Sequence, residues 1–309
     1  MVKNYTYLVL ILTAIVPQFI LSQEIKIFRT SDFDLKGKVK KCLVLTHYGK
    51  EEYEFNIDGL LTKSVTRYND QDYDVTHYKY SGDELLEKRS EVYRDDVFDE
   101  NTSIANFYTI DTTENRKVTE KIISYSKEFL GQNEYHYDAE GKLIKVFRND
   151  NEGSDETEIV YTNVKGEFTK TIKVNGIVLR SVRTSEKKGK DQGKNSIVLT
   201  KEFIEGQPNK AVEEVKNGIG LLQDRTLYYF DTKTNQFVPE ASMSYAYDEN
   251  NMLIKTETKT GEVVEIKEYI YQFDGSEYAN WVKQIVKPEN DYKTREISYY
   301  KTEKLVVEE

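Results

Sequence analysis

Tyr135-His136-Tyr137-Asp138-Ala139-Glu140-Gly141-Lys142-Leu143-Ile144-Lys145 is the stretch that decides the fold. Its two tyrosines stand two residues apart, so on a strand they share a face. Asp138 opens a turn, because its carboxylate can accept bonds from backbone amides two residues on. Gly141 supplies the left-handed backbone that other residues resist near the end of such a turn. Leu143-Ile144-Lys145 then begins a return strand with one face inward and one in water. The stretch reads as a β-hairpin.

The same pattern recurs along the chain. Tyr53-Glu54-Phe55-Asn56-Ile57-Asp58-Gly59 leads into Leu60 to Lys63, and Tyr78-Lys79-Tyr80-Ser81-Gly82 into Asp83 to Lys88. A worn copy runs from Tyr161 through Gly166 and Phe168 to Lys170, and a clear one from Tyr245-Ala246-Tyr247-Asp248 to Lys255. A sixth, Tyr269-Ile270-Tyr271-Gln272-Phe273-Asp274-Gly275, carries an insertion before Asn280-Trp281-Val282-Lys283. Phe55 to Tyr80, Tyr137 to Tyr161 and Tyr247 to Tyr271 are 25, 24 and 24 residues apart, about two strands and two turns. One hairpin cannot bury a face, so neighbours must stack. The 24 tyrosines are first of all the glue, each buried ring contributing roughly 1.5–3 kcal/mol.

The Y-x-Y-D-x-x-G-x-L pattern resembles the YD repeats of bacterial RHS proteins. Asn280-Trp281-Val282-Lys283 is similar to the N-W-x-K ending of short secreted relatives of that repeat. The resemblance implies a continuous sheet of hairpins, wound in large members into a shell around a toxin, and it implies carbohydrate binding. This chain departs from the large members in its few repeats and its lack of a toxin-like C-terminal domain. The expected fold is all-β: an elongated antiparallel sheet of consecutive hairpins, an open solenoid-type meander over residues 23–309. Asn209 to Asn217 has some helical spacing (Ala211, Val212, Val215) but is short and uncapped. Ile177 to Val182 and Ile197 to Phe203 read as paired strands around a basic, exposed and mobile loop, Ser185 to Asn195.

The N-terminus suggests export. Lys3 precedes a nearly unbroken apolar run, Tyr7 to Leu21, interrupted by Thr13, Pro17 and Gln18. This is the pattern of a signal peptide over residues 1–22, cleaved after Ser22, and it is shorter than the roughly 20 residues of a membrane span. The only cysteine is Cys42, so no lipobox cysteine follows the run and no internal disulfide forms. The chain ends Val306-Val307-Glu308-Glu309, without the terminal aromatic of an outer-membrane barrel. The expected address is the periplasm or cell surface, with no stable membrane span after cleavage. Lys plus Arg number 44 against 54 Asp plus Glu, and losing Lys3 takes the net charge from −10 to −11. Such a chain repels nucleic-acid phosphates.

Catalytic constellations are missing. No G-x-S-x-G elbow occurs, and Cys42 and His47, five apart, would point to opposite faces of one strand. His47, His77 and His136 are each followed by Tyr and show no metal-ligand spacing. Gly189 to Asn195 is one residue short of a phosphate loop and lacks its Ser/Thr. Asn101-Thr102-Ser103 is a formal sequon, and D-x-D-x-D-G calcium spacing is absent. No cofactor, metal or catalytic residue is expected. The sequence supports an exported, non-catalytic envelope or surface binding module, one that binds polysaccharide through an aromatic sheet face. Its ligand residues would be Tyr245, Tyr247, Tyr269, Tyr271 and Trp281, where aromatics are densest. Two alternatives stand beside it: a scaffold or partner-binding protein linked to a secretion or toxin system, and a glycan hydrolase using paired carboxylates.

Overall fold

The computed structural model describes residues 24–188 and 193–301. The proposed signal peptide therefore lies outside the described residues, as does the middle of the loop expected between Ser185 and Asn195. Residues 24–38 carry a 3₁₀ turn, Thr30–Phe33, and an isolated bridge, Arg29↔Leu60, and lead into twenty strands. The first five are β1 (Val39–Thr46), β2 (Gly49–Phe55), β3 (Leu61–Arg67), β4 (Tyr73–Ser81) and β5 (Glu84–Arg94). Next come β6 (Val97–Asp111), β7 (Lys117–Ser124), β8 (Phe129–Tyr137), β9 (Leu143–Asp150) and β10 (Ser154–Val164). They are followed by β11 (Glu167–Val174), β12 (Ile177–Lys188), β13 (Lys194–Ile204), β14 (Gln207–Lys216) and β15 (Leu222–Asp231). The last are β16 (Gln236–Tyr247), β17 (Leu253–Thr260), β18 (Val263–Phe273), β19 (Trp281–Lys287) and β20 (Asp291–Tyr299). The segment with helical spacing is strand β14; β12 and β13 pair as their sequences indicate, but the pairing runs on through Lys187↔Asn195 and Lys188↔Lys194, so both ends of the expected loop are strand.

Each strand pairs antiparallel with the strands before and after it, and β20 returns to β1 through Val44↔Arg295 and Cys42↔Ile297. The sheet is thus a closed 20-strand barrel. This overturns the expectation of an open, elongated meander. The physical reason lies within the repeat itself. The register shifts by a bulge immediately before the second aromatic in five copies: at Glu54/Phe55, Lys79/Tyr80, His136/Tyr137, Ala246/Tyr247 and Gln272/Phe273. A bulge bends its strand and sharpens the twist. Repeated at one end of successive hairpins, it curls the sheet in one direction until the edges meet, which removes two unpaired edges. The last bulge also places the sixth copy at Tyr271-Gln272-Phe273-Asp274, two residues later than the spacing indicates.

The turn chemistry follows the motif. Asp138 Oδ1 accepts from the Glu140 and Lys142 amides at 3.0 and 2.8 Å, and Gly141 sits at φ 77°. Asn56, Asn217 and Asp248 repeat this pattern, so Asn217-Gly218-Ile219-Gly220 is a copy that the sequence reading passed over. Asp138→Ala should cost about 1 kcal/mol by removing these local bonds, read from the midpoint of urea unfolding. The second aromatic has a further task. Tyr80, Tyr161 and Tyr247 each donate a hydroxyl to the carbonyl of the first residue of the preceding strand, Leu61, Leu143 and Leu222, at 2.8–3.0 Å. Tyr300, just after β20, donates its hydroxyl to the carbonyl of Phe55, the last residue of β2, at 2.7 Å. The closed circuit of strands neither establishes the resemblance to YD repeats nor excludes it.

Candidate functional site in the barrel interior

Antiparallel partners share a face of the sheet. One face carries Cys42, Tyr53, Tyr78, Tyr135, Ile159 and Ile172, and the segment 24–38 packs on it. Glu24 pairs with Lys170 of β11 at 2.8 Å, Ile25 joins the β6–β11 cluster, and Phe28 meets Tyr78 of β4. Phe33 then meets Tyr53 of β2, and Asp34 accepts from Trp281 of β19. The steps from Glu24 to Asp34 reach about 30 Å at most, whereas the wall from β11 round to β19 past β4 and β2 measures about 58 Å of strand spacings. The segment therefore follows the chord, inside the barrel. It is an internal strap, and the face it touches lines the lumen.

The outer face suits water. It presents Lys41, Glu52, Arg67, Lys145, Glu156, Lys173 and Glu158, joined in cross-strand ion pairs of 2.9–3.2 Å, and Lys255 and Glu257, paired along β17 at 3.5 Å. Exposed pairs of this kind each contribute about 0–1 kcal/mol. A Lys or Arg of this face at a bilayer midplane would cost about 2–4 kcal/mol. Outside, Arg67, Tyr73 and Tyr93 also stack in a row, the two rings 4.7 Å apart and 11° from parallel. Their faces are taken up by one another rather than offered to a ligand.

Inside, the strap divides the lumen. Its anchor is the N-W pair of the sequence. Asn280, 2% exposed, accepts from the Lys36 amide and donates to the Lys36 carbonyl, both at 2.8 Å, and donates to Tyr299 at 2.7 Å. Its side-chain amide stands in for a β-bridge partner. The Trp281 indole donates to Asp34 at 2.8 Å and lies beneath the Arg295 guanidinium, 3.5 Å from the ring centroid. Arg295 in turn donates to the Phe33 and Asp34 carbonyls.

Deeper on the same face sits a carboxylate cage. Glu120, buried on β7, accepts from Asn106 and Tyr108 on one oxygen and from Asn133 and Tyr135 on the other, at 2.7–2.8 Å. Burial raises the pKa of both phenols, and the Glu120 charge raises it further, so they remain protonated donors. Cys42 is buried beside Arg295, and desolvation pushes its thiol up to about 11. Native protein at pH 8 should resist alkylation at Cys42 and react only after unfolding, as a thiol-labelling time course would show. Because burial holds the folded thiol above its ordinary value of 9.0, this group leaves stability unchanged below pH 9 and lowers it as pH rises toward 11.

The other half of the lumen is open. Among the described residues of β12 to β18, only Ala211 is buried. Their lumen face runs through Val182, Thr200, Val212 and Leu227 in register, with Arg225 paired to Glu214 and Lys267 to Glu265. Tyr245, Tyr247, Tyr269 and Tyr271 all face this space, half-buried. Tyr269 lies 3.3 Å from the Thr256 hydroxyl, and Tyr271 accepts from Gln284 at 3.0 Å. The structure therefore gathers these four on one lumen wall, and it places Trp281 among the strap's anchors, 7% exposed. Sequence reasoning missed Asn280, Asp34, Arg295 and Glu120. The N-W pair was visible as a motif, but its partners lie more than 240 residues away.

No family model matches the chain, and no curated protein matches it. Solved structures similar to it include a porin-like protein from Bacteroides uniformis, at 9% identity and a TM-score of 0.30, covering 84% of this chain and 96% of that one. A porin-like protein from Bacteroides vulgatus gives 10% identity and a TM-score of 0.23 over 85% and 98%. The Photorhabdus luminescens Tc holotoxin pore gives 10% identity and a TM-score of 0.15 over 77% of this chain and 15% of that one.

Proposed function

We propose that the protein is an exported, non-catalytic binding barrel of the cell envelope that takes a polysaccharide into the open half of its lumen. The observation that carries this reading is the wall of Tyr245, Tyr247, Tyr269 and Tyr271. The equivalent rings on β2, β4, β8 and β10 are covered by the strap or its cluster, while these four face open space beside hydroxyls and paired charges. Aromatic rings amid a few convergent polar groups suit a sugar chain. Export rests on the basic start and apolar run at the N-terminus, and the charged outer wall favours a barrel bathed in water.

The test uses mature protein, residues 23–309, against a panel of envelope and plant-type polysaccharides by affinity electrophoresis. Trp281, the only tryptophan, lies 6.1 Å from Tyr271, so its fluorescence reports on the same wall. Saturable binding that weakens on the order of tenfold in Tyr245→Ala or Tyr269→Ala supports the reading. No binding across the panel would sink it. A second reading, an extended polypeptide from a partner, is favoured by the strap itself, since one half of the lumen already holds a polypeptide.

A further inference from the structure

We infer that a recess beside the tyrosine wall binds a carboxylate, which makes the preferred ligand of the lumen an acidic saccharide. The inference rests on the reading of the lumen as a polysaccharide site. The recess has a volume of about 150 Å³ and is bounded by Trp281, Gln284, Lys293, Arg295, Glu51 and Cys42 among others. Gln284 links it to the wall, since its amide donates to Tyr271 at 3.0 Å.

The donors here outnumber the acceptors. Arg295 is fixed: its ring-stacked guanidinium spends Nη1 and Nη2 on the strap carbonyls of Asp34 and Phe33, at 3.3 and 2.9 Å. Its Nε is buried and has no hydrogen-bond partner. Among the described residues no carboxylate forms an ion pair with Arg295 or with Lys293, which lies two residues away on the same strand and face. The carboxylates near the recess already hold hydrogen bonds of their own, and the Asp34 charge acts on Arg295 without an ion-pair contact. Asp34 takes the Trp281 indole at 2.8 Å, and Glu51 takes the Tyr53 hydroxyl at 2.8 Å. A buried cation with an orphan donor is costly to keep. A planar two-oxygen anion along the Nε edge of the guanidinium, with Lys293 as a second cation, relieves it. Burial pushes the pKa of Arg295 down and the Asp34 carboxylate pushes it up; an arginine guanidinium keeps its proton in proteins.

The test compares galacturonate oligomers with the same oligomers methyl-esterified, titrated calorimetrically into residues 23–309. The acidic form should bind at least tenfold tighter, and its advantage should shrink between 50 and 500 mM salt. Lys293→Gln, which touches no strap contact, should lower affinity for the acidic form several-fold and leave the esterified form unchanged. Arg295→Lys should abolish the preference, with circular dichroism confirming that the barrel persists. Equal affinity for the two forms, or an unchanged acidic affinity in Lys293→Gln, overturns the carboxylate site. If the esterified form still binds and still depends on Tyr245 and Tyr269, the polysaccharide reading survives that failure. Absence of binding by either form overturns both.

Discussion

Replacing Trp281 by alanine is expected to free the N-terminal strap and to cost about 3–5 kcal/mol, the range for truncating a buried aromatic. The indole is 7% exposed, and its loss strips Asp34 of a donor and Arg295 of the surface it lies on. Asn280→Ala should act through the same device at about 1–3 kcal/mol, because the Lys36 N–H and C=O lose their partner. The effect should be local before it is global. The Leu61 amide donates to the Phe28 carbonyl and the Thr30 amide to Gly59, so both should lose hydrogen-exchange protection in Asn280→Ala while amides of β12 to β16 keep theirs. Uniform loss across all strands would mean that the strap is a folding core rather than a docked segment. Unchanged protection would mean that the strap does not depend on the N-W pair.

The second large effect is expected at Glu120. Glu120→Leu keeps the volume and removes the acceptor for Asn106, Tyr108, Asn133 and Tyr135 together. Leaving several buried donors unpaired should cost about 3–5 kcal/mol, visible as a lower urea midpoint with an unchanged slope. Tyr108→Phe or Tyr135→Phe removes one donor from an acceptor that keeps three, and should cost about 1 kcal/mol. A Glu120→Leu protein as stable as the parent would show that the cage is incidental and that the packing of Val118, Val146 and Ile159 carries this half of the core. The binding proposed for the tyrosine wall should be unaffected in any of these variants that still fold.

Much of the candidate site was legible residue by residue. Four of the aromatics chosen for their density, Tyr245, Tyr247, Tyr269 and Tyr271, do share one open wall, because alternation along a strand and antiparallel pairing both preserve the face. Trp281 shows the limit of that logic. Density along the chain marks it as a ligand ring, but a partner 247 residues away, Asp34, makes it an anchor. Glu120 carried no signal among 54 acidic residues; only the convergence of three neighbouring strands makes it unusual.

The sequence by itself determined the hairpin unit: a Y-x-Y pair on one face, an Asp or Asn that caps its own turn, a Gly or Asn at positive φ, and a return strand of alternating character. These are short-range rules, each satisfied within about a dozen residues, so a local reading recovers them. Whether the hairpins stop as an open sheet or close into a barrel was decided elsewhere. Closure depends on a bulge repeated at the second aromatic and on β20 finding β1, and the closed lumen then holds a strap that crosses to Asn280 and Trp281. Curvature accumulates over all twenty strands, and the closing contacts join residues more than 240 positions apart. Periodicity along the chain has no term for either, and only the assembled tertiary structure supplies them.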